Sequence, residues 1–168
     1  TVNVLDQNGC LASGIQIVSE PSPLTYSITS SDNNCFDGAT GTANAVASDG
    51  TAPYSYVWDD GPTSGSRTGL MAGIYYVTIS DACGETYYDS VSISQPDSMV
   101  ASIEIVDVSC NGGTDGEATI AITGGTAPYT YSWTVDGSSG SSISGQIAGT
   151  DSVEITDACG QVQWIVYT

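Results

Sequence analysis

Residues Gly50 to Trp58 read G-T-A-P-Y-S-Y-V-W, and residues Gly125 to Trp133 read G-T-A-P-Y-T-Y-S-W. A second block, Asp81-Ala82-Cys83-Gly84, returns as Asp157-Ala158-Cys159-Gly160 after one inserted residue. Upstream, Asp32, Cys35, Gly38 and Gly41 line up with Asp107, Cys110, Gly113 and Gly116. The chain therefore repeats at a period of about 75 residues, and its fold must be built from units of that size. Val2-Asn3-Val4-Leu5-Asp6 is similar to Val77-Thr78-Ile79-Ser80-Asp81, and Ser19-Glu20-Pro21 to Ser94-Gln95-Pro96. Residues 1–21 thus read as the closing hairpin of a preceding repeat, 22–97 as a first complete repeat and 98–168 as a second. The joints at Pro21 to Leu24 and Pro96 to Met99, where Pro and Ser interrupt the apolar pattern, are short enough to predict a semi-rigid array.

Within the first unit, short alternating runs predict strands at Leu24 to Ser30, Thr42 to Ser48, Tyr54 to Trp58, Ile74 to Ile79 and Tyr87 to Ser94, with equivalents in the second. Gly-rich separators recur between them, no stretch carries a 3.6-residue apolar period, and the unit is too short for βαβ crossovers. Strong helix formers are scarce beside Gly, Ser, Thr, Val and Tyr. The expected fold is all-β: tandem immunoglobulin- or fibronectin-like β-sandwiches of about 75 residues.

Nineteen acidic residues face a single basic one, Arg67, with no His, for a net charge of −18. A field of one sign excludes nucleic acid and anionic membrane surfaces as partners. No apolar run is long enough to span a bilayer, so direct membrane insertion is not expected, and any export signal is expected outside these residues. Catalysis is not expected either, because no His, Lys or recurring carboxylate pair is available and no cofactor fingerprint occurs. Asp59 and Asp60 are adjacent in a Gly-Pro-Ser turn, and in the second repeat Asp136 is the one acid nearby.

Five cysteines are present. Within each repeat two of them lie 48 or 49 positions apart, which suggests bridges Cys35 to Cys83 and Cys110 to Cys159, each contributing roughly 4 kcal/mol on the chain-entropy model. Cys10 would then be unpaired, its partner belonging to the front of the preceding repeat. Close Cys or His pairs for zinc, and a base beside a nucleophilic thiol, are both missing. Asp32, Asp37, Asp107 and Asp115 crowd the Gly-rich turns around Cys35 and Cys110, and Asp81 and Asp157 sit in the closing hairpins. Such carboxylates suit Ca2+, the one cofactor the sequence suggests, or else Asx-type bonds to their own backbone. Asp115 aligns with Thr40 and Asp37 with Gly112, so the ligand set is not repeated. The rows Tyr54, Tyr56, Trp58 and Tyr129, Tyr131, Trp133 have period two and read as core, with a sugar-stacking platform as the alternative.

The succession Cys35-x2-Gly38-x2-Gly41, Gly50 to Trp58, Gly69-Leu70-Met71-Ala72-Gly73, Val77 to Gly84 and Ile93-Ser94-Gln95-Pro96 resembles the SprB repeat, over nearly the whole chain. The second repeat departs from the pattern at Gln146-Ile147 and Thr150-Asp151. The resemblance implies very large surface adhesins of gliding Bacteroidota, exported by type IX secretion with a sorting signal at a distant C-terminus. It also implies O-glycosylation at Asp-Ser or Asp-Thr before a small or apolar residue, which Ser90, Ser98 and Ser152 satisfy. The expected role is an extracellular, cell-surface stalk or filament shaft whose partners are neighbouring repeats or like subunits and possible surface polysaccharide. The alternative is a carbohydrate-binding module of a secreted protein.

Overall fold

A computed structural model describes residues 2–168, in which every regular element is a β-strand. In the first repeat β3 (Leu24–Ser31), β4 (Gly41–Asp49) and β6 (Ser66–Leu70) form one antiparallel sheet in the order β3-β4-β6. The facing sheet has the order β5-β7-β8, from β5 (Ser55–Trp58), β7 (Gly73–Ser80) and β8 (Thr86–Ile93). The chain changes sheet from β4 to β5, from β5 to β6 and from β6 to β7, the Greek-key connection of an immunoglobulin-like sandwich. The second repeat builds the same two sheets. One contains β9 (Val100–Val106), β10 (Gly116–Thr123) and β12 (Ser142–Gln146); the other contains β11 (Thr130–Trp133), β13 (Asp151–Thr156) and β14 (Val162–Tyr167).

Two cores result, one per repeat. Along β4 every second residue points inward, and these are the small Ala43, Ala45 and Ala47, which leave room for Trp58 between the sheets. Leu24, Leu70, Val77, Ile79 and Ile93 complete that core. Met99, Ala118, Ile120, Ile143, Val153 and Ile155 surround Trp133 in the second. Each indole N–H donates to a backbone carbonyl at 2.8 Å, Ser64 in one repeat and Gly140 in the other, so the buried donor is satisfied. Gly41 sits where a Cβ would come within 2.6 Å of Ile93 Cγ2 and 2.8 Å of the Leu70 carbonyl, which is why this position admits no side chain.

Strand β6 was missing from the strands expected from the sequence. Its residues, Ser66-Arg67-Thr68-Gly69-Leu70, have little β propensity, and it forms because β4 offers an unpaired edge. Arg67 is drawn into it by two aromatic faces, lying 5.1 Å from the ring centres of both Trp58 and Tyr75, while a fork of hydrogen bonds of 2.8 and 2.6 Å reaches Asp60. The corresponding residue of β12 is the buried Ile143.

Ahead of the first repeat, β1 (Val2–Leu5) and β2 (Leu11–Gly14) form an exposed antiparallel hairpin. Asp6 Oδ1 accepts the N–H groups of Asn8 and Cys10 at 2.8 Å, as Asp81 Oδ1 accepts those of Cys83 and Glu85. Cys10 therefore holds the place of Glu85, and Asn8 the place of the closing-hairpin cysteine, so Cys10 does not occupy the position from which a closing-hairpin cysteine was expected to pair with the front of the preceding repeat.

Candidate functional site

The two most strongly repeated motifs meet at one end of each sandwich. Gly50 turns with φ 56°, bringing the Thr51 N–H to Asp81 Oδ2 at 2.9 Å, and Ala82 N–H donates back to the Thr51 carbonyl at 2.8 Å. Gly125, with φ 66°, repeats this for Thr126 on Asp157 Oδ2 at 2.9 Å and Ala158 on the Thr126 carbonyl at 2.8 Å. A side chain at Gly125 would meet Met99 Cβ at 2.9 Å and Asp157 Oδ2 at 3.2 Å, so both backbone shape and space call for glycine. The Tyr54 and Tyr129 hydroxyls donate to the carbonyls of Asp49 and Gly124 and lock the turn to the end of the preceding strand.

Asp81 and Asp157 are thus consumed by backbone amides rather than presented to a ligand. For Asp81 the Thr51 N–H is the main cause that holds the carboxyl below its ordinary range, with those of Glu85, Cys83 and Gly84 adding to it. For Asp157 burial pushes upward, but the N–H groups of Thr126, Gln161, Cys159 and Gly160 together outweigh it and the net direction is down.

Cys35 lies in the loop between β3 and β4, at the opposite end of its sandwich from Cys83. That end is fixed by Asn33, whose N–H donates to the Ser94 carbonyl, whereas the end bearing Cys83 is tied to Leu24 by Glu85. The eight residues of β3 separate the two ends by roughly 20 Å or more at 3.3 Å per residue, against a limit of about 7 Å between bridged Cα atoms. The expected bridges Cys35 to Cys83 and Cys110 to Cys159 are therefore not formed. Cys35 is bonded instead to Cys159 of the second repeat, with Cα atoms 5.7 Å apart. Cys10, Cys83 and Cys110 are free and exposed.

The bridge ties the far end of the first sandwich to the near end of the second. Beside it the Thr126 hydroxyl donates to the Asn34 carbonyl at 2.9 Å, and Phe36, Asp37, Asp157 and Gln161 line the remaining cleft. Gln95, in the peptide joint, accepts the Asp37 N–H at 3.1 Å, so the joint and the bridged loop hold each other. Asp37 itself turns with φ 53°.

The other proposed calcium residues do different work in the two repeats. Asp32 accepts the Ser94 N–H at 2.7 Å, and this bond draws its carboxyl below the ordinary range. Asp115 accepts the Ser109 N–H at 3.0 Å, and the Ser109 hydroxyl, with that N–H second, draws its carboxyl below the ordinary range. In the first repeat that loop is closed in the reverse sense: buried Asn33 Oδ1 accepts the N–H groups of Thr40 at 2.6 Å and Gly41 at 2.8 Å. Val108 stands in place of Asn33, and Asp115 in place of Thr40, so the exchange is compensated. Asp107 borders a cleft with Ile105, Val106 and Tyr167. Among the described residues no group of three or more His, Cys, Asp or Glu side chains is positioned to hold a metal.

Trp58 and Trp133 are each 1% exposed, and Tyr54, Tyr56, Tyr129 and Tyr131 pack against the cores, so both aromatic rows face inward. Exposed rings occur elsewhere, where sequence reasoning did not place them. Tyr76 and Tyr88 stack at 5.6 Å with their planes 7° apart on the outer face of β7 and β8, and Trp164 is exposed on β14. A period-two pattern does not say which of two faces is outward when both carry rings. Ser90 is exposed on β8, while Ser98 and Ser152 are half-buried in the joint and on β13.

No curated protein matches the chain in sequence. A solved structure, the C-terminal 282-residue fragment of intimin in complex with the intimin-binding domain of the translocated intimin receptor, is similar at 14% identity and a TM-score of 0.37. The match covers 89% of this chain and 64% of that one. Residues 27–63 and 102–138 each match the SprB repeat, one period apart.

Proposed function

We propose that the chain is a non-catalytic segment of an extracellular cell-surface adhesin, in which SprB repeats stacked head to tail serve as a shaft. The observation that carries this reading is the Cys35–Cys159 bond between successive sandwiches. Its placement contributes to the joint rather than to either core, and a bond of this kind is sustained in oxidising surroundings outside the cytosol. Export by type IX secretion and a part in gliding rest on the family resemblance alone. Small-angle scattering of the oxidised chain and of Cys159→Ser tests the shaft. An extended pair of fixed maximum dimension that broadens in the variant is expected, and a pair folded side by side in both would overturn it.

A second reading, binding of carbohydrate, is favoured by the stacked, exposed Tyr76–Tyr88 pair and by Trp164. A glycan array separates the two readings: retention of a polysaccharide that is lost in Tyr88→Ala would support the module as a binder, and no retention would leave the shaft.

A further inference from the structure

The outer faces of the β5-β7-β8 and β11-β13-β14 sheets carry the same arrangement with one exchange. β8 and β14 occupy the same edge of their sheets, and each sends one aromatic ring outward at the same register position. Tyr88, 60% exposed, stands opposite Thr78, and Trp164, 56% exposed, stands opposite Glu154. Neither ring serves a core, because the adjacent Tyr87 and Ile165 are the side chains that pack inward.

A carboxylate stands beside each ring but comes from a different strand. In the first repeat Asp59, just after β5, accepts the Tyr88 hydroxyl on Oδ2 at 2.7 Å. In the second, Glu154 of β13 is the direct cross-strand partner of Trp164. Thr134 there holds the place of Asp59, its N–H donating to the Ser152 carbonyl as that of Asp59 donates to the Tyr76 carbonyl, and Glu154 holds the place of Thr78. Acid and threonine have changed places, so each repeat keeps one of each on this face. The one basic side chain of the sequence, Arg67, is committed to Asp60, which leaves Asp59 and Glu154 with no basic side chain of their own.

We propose that each ring with its carboxylate is a binding site for one residue of a linear amino-sugar polysaccharide whose amines are free and protonated, a polymer of the glucosamine type. The apolar C–H face of a pyranose lies on an exposed aromatic ring, and an ammonium group on the same sugar is drawn both to that ring and to the acid beside it. In the first repeat Tyr76, stacked on Tyr88, widens the apolar surface. A net charge of −18 gathers a polycation and repels uronic or sulfated glycans. The inference rests on the second reading above, binding of carbohydrate, and gives it a ligand class.

A short glucosamine oligomer is titrated into the full chain at about pH 5.5, where carboxylates are ionised. Its N-acetylated counterpart and a lysine oligomer of equal length are titrated alongside. Calorimetry counts the sites, and because Trp58 and Trp133 are each 1% exposed, a change in tryptophan emission reports on Trp164. The glucosamine oligomer should bind several-fold more tightly than the N-acetylated one, at two sites in the parent chain and at one in either Tyr88→Ala or Trp164→Ala. Asp59→Asn/Glu154→Gln, which keeps shape and a hydrogen-bond acceptor at both places, should remove the preference for the free amine. Equal binding of the two sugars in the parent chain, or a preference that survives Asp59→Asn/Glu154→Gln, would overturn the inference while leaving carbohydrate binding intact. Retention of neither sugar would remove both. A lysine oligomer bound as tightly as glucosamine, with no response to Tyr88→Ala or Trp164→Ala, would overturn the inference in favour of a purely electrostatic surface.

Discussion

Trp133 is the largest side chain of its core and stands edge-on to Tyr167, their ring centres 5.8 Å apart. Trp133→Ala should cost about 3–5 kcal/mol of stability in chemical denaturation, because the side chains packed around it, Met99, Ile120, Ile143, Val153 and Ile155, close only part of the cavity that the indole leaves. Arg67 makes a subtler case. It fills a place that Ile143 fills in the second repeat, so Arg67→Ile should be better tolerated than Arg67→Ala, which loses packing against Trp58 and Tyr75 without replacement. Asp81 and Asp157 set the response to acid. Their carboxyls are held below the ordinary range in the folded state, so they stabilise above about pH 4, and that contribution is lost as the pH falls through the folded values. Thermal unfolding followed from pH 6 to pH 2 should therefore drop at the acid end, and the drop should flatten in Asp81→Asn/Asp157→Asn. At the alkaline end Tyr167, raised to about 12 by burial and by the charge of Asp151, should remain protonated through pH 10 in ultraviolet titration.

At the scale of elements, the strands that bury one face were legible because alternation along Leu24–Ser31 or Gly41–Asp49 is a direct record of which side meets the core. The G-T-A-P-Y and D-A-C-G blocks were legible as repeats but not as two halves of one clasp, since nothing in one dimension pairs the Thr51 amide with the Asp81 carboxylate. Strand β6 was hidden because its existence depends on the edge of β4 and not on its own residues. The cysteines failed for a related reason: a separation of 48 positions does not say whether the two loops lie at the same end of the sandwich, where a bridge can close, or at opposite ends, where it cannot, and here they lie at opposite ends. This placement changes what reduction should do. A bridge inside a module would support its core, whereas the Cys35–Cys159 bridge joins two cores that are each complete. Cys35→Ser should leave the melting temperature of each sandwich close to that of the parent chain, while spin labels placed one per repeat report a broader distance distribution. A large loss of melting temperature with no broadening would count against the bridge as a joint.

For the whole molecule, the net charge of −18 keeps copies apart at low ionic strength. Because the Debye length falls from about 30 Å at 0.01 M salt to about 8 Å at 0.15 M, any end-to-end association should rise with salt, as sedimentation would show. The single basic residue also bears on survival outside a cell. Trypsin can cut only after Arg67, whose side chain is 11% exposed and sits within a strand, so the folded chain should resist digestion while the denatured chain yields two fragments. The joint, finally, is held at two separate places, the peptide through Gln95 and Pro96 and the sulfur bond from Cys35 to Cys159. Sandwiches linked by a peptide alone swivel about it, and rotation of one leaves the next unmoved. With two attachments off a common axis, turning one sandwich drags its neighbour around, so a series of such joints conveys torque as well as tension from one end to the other.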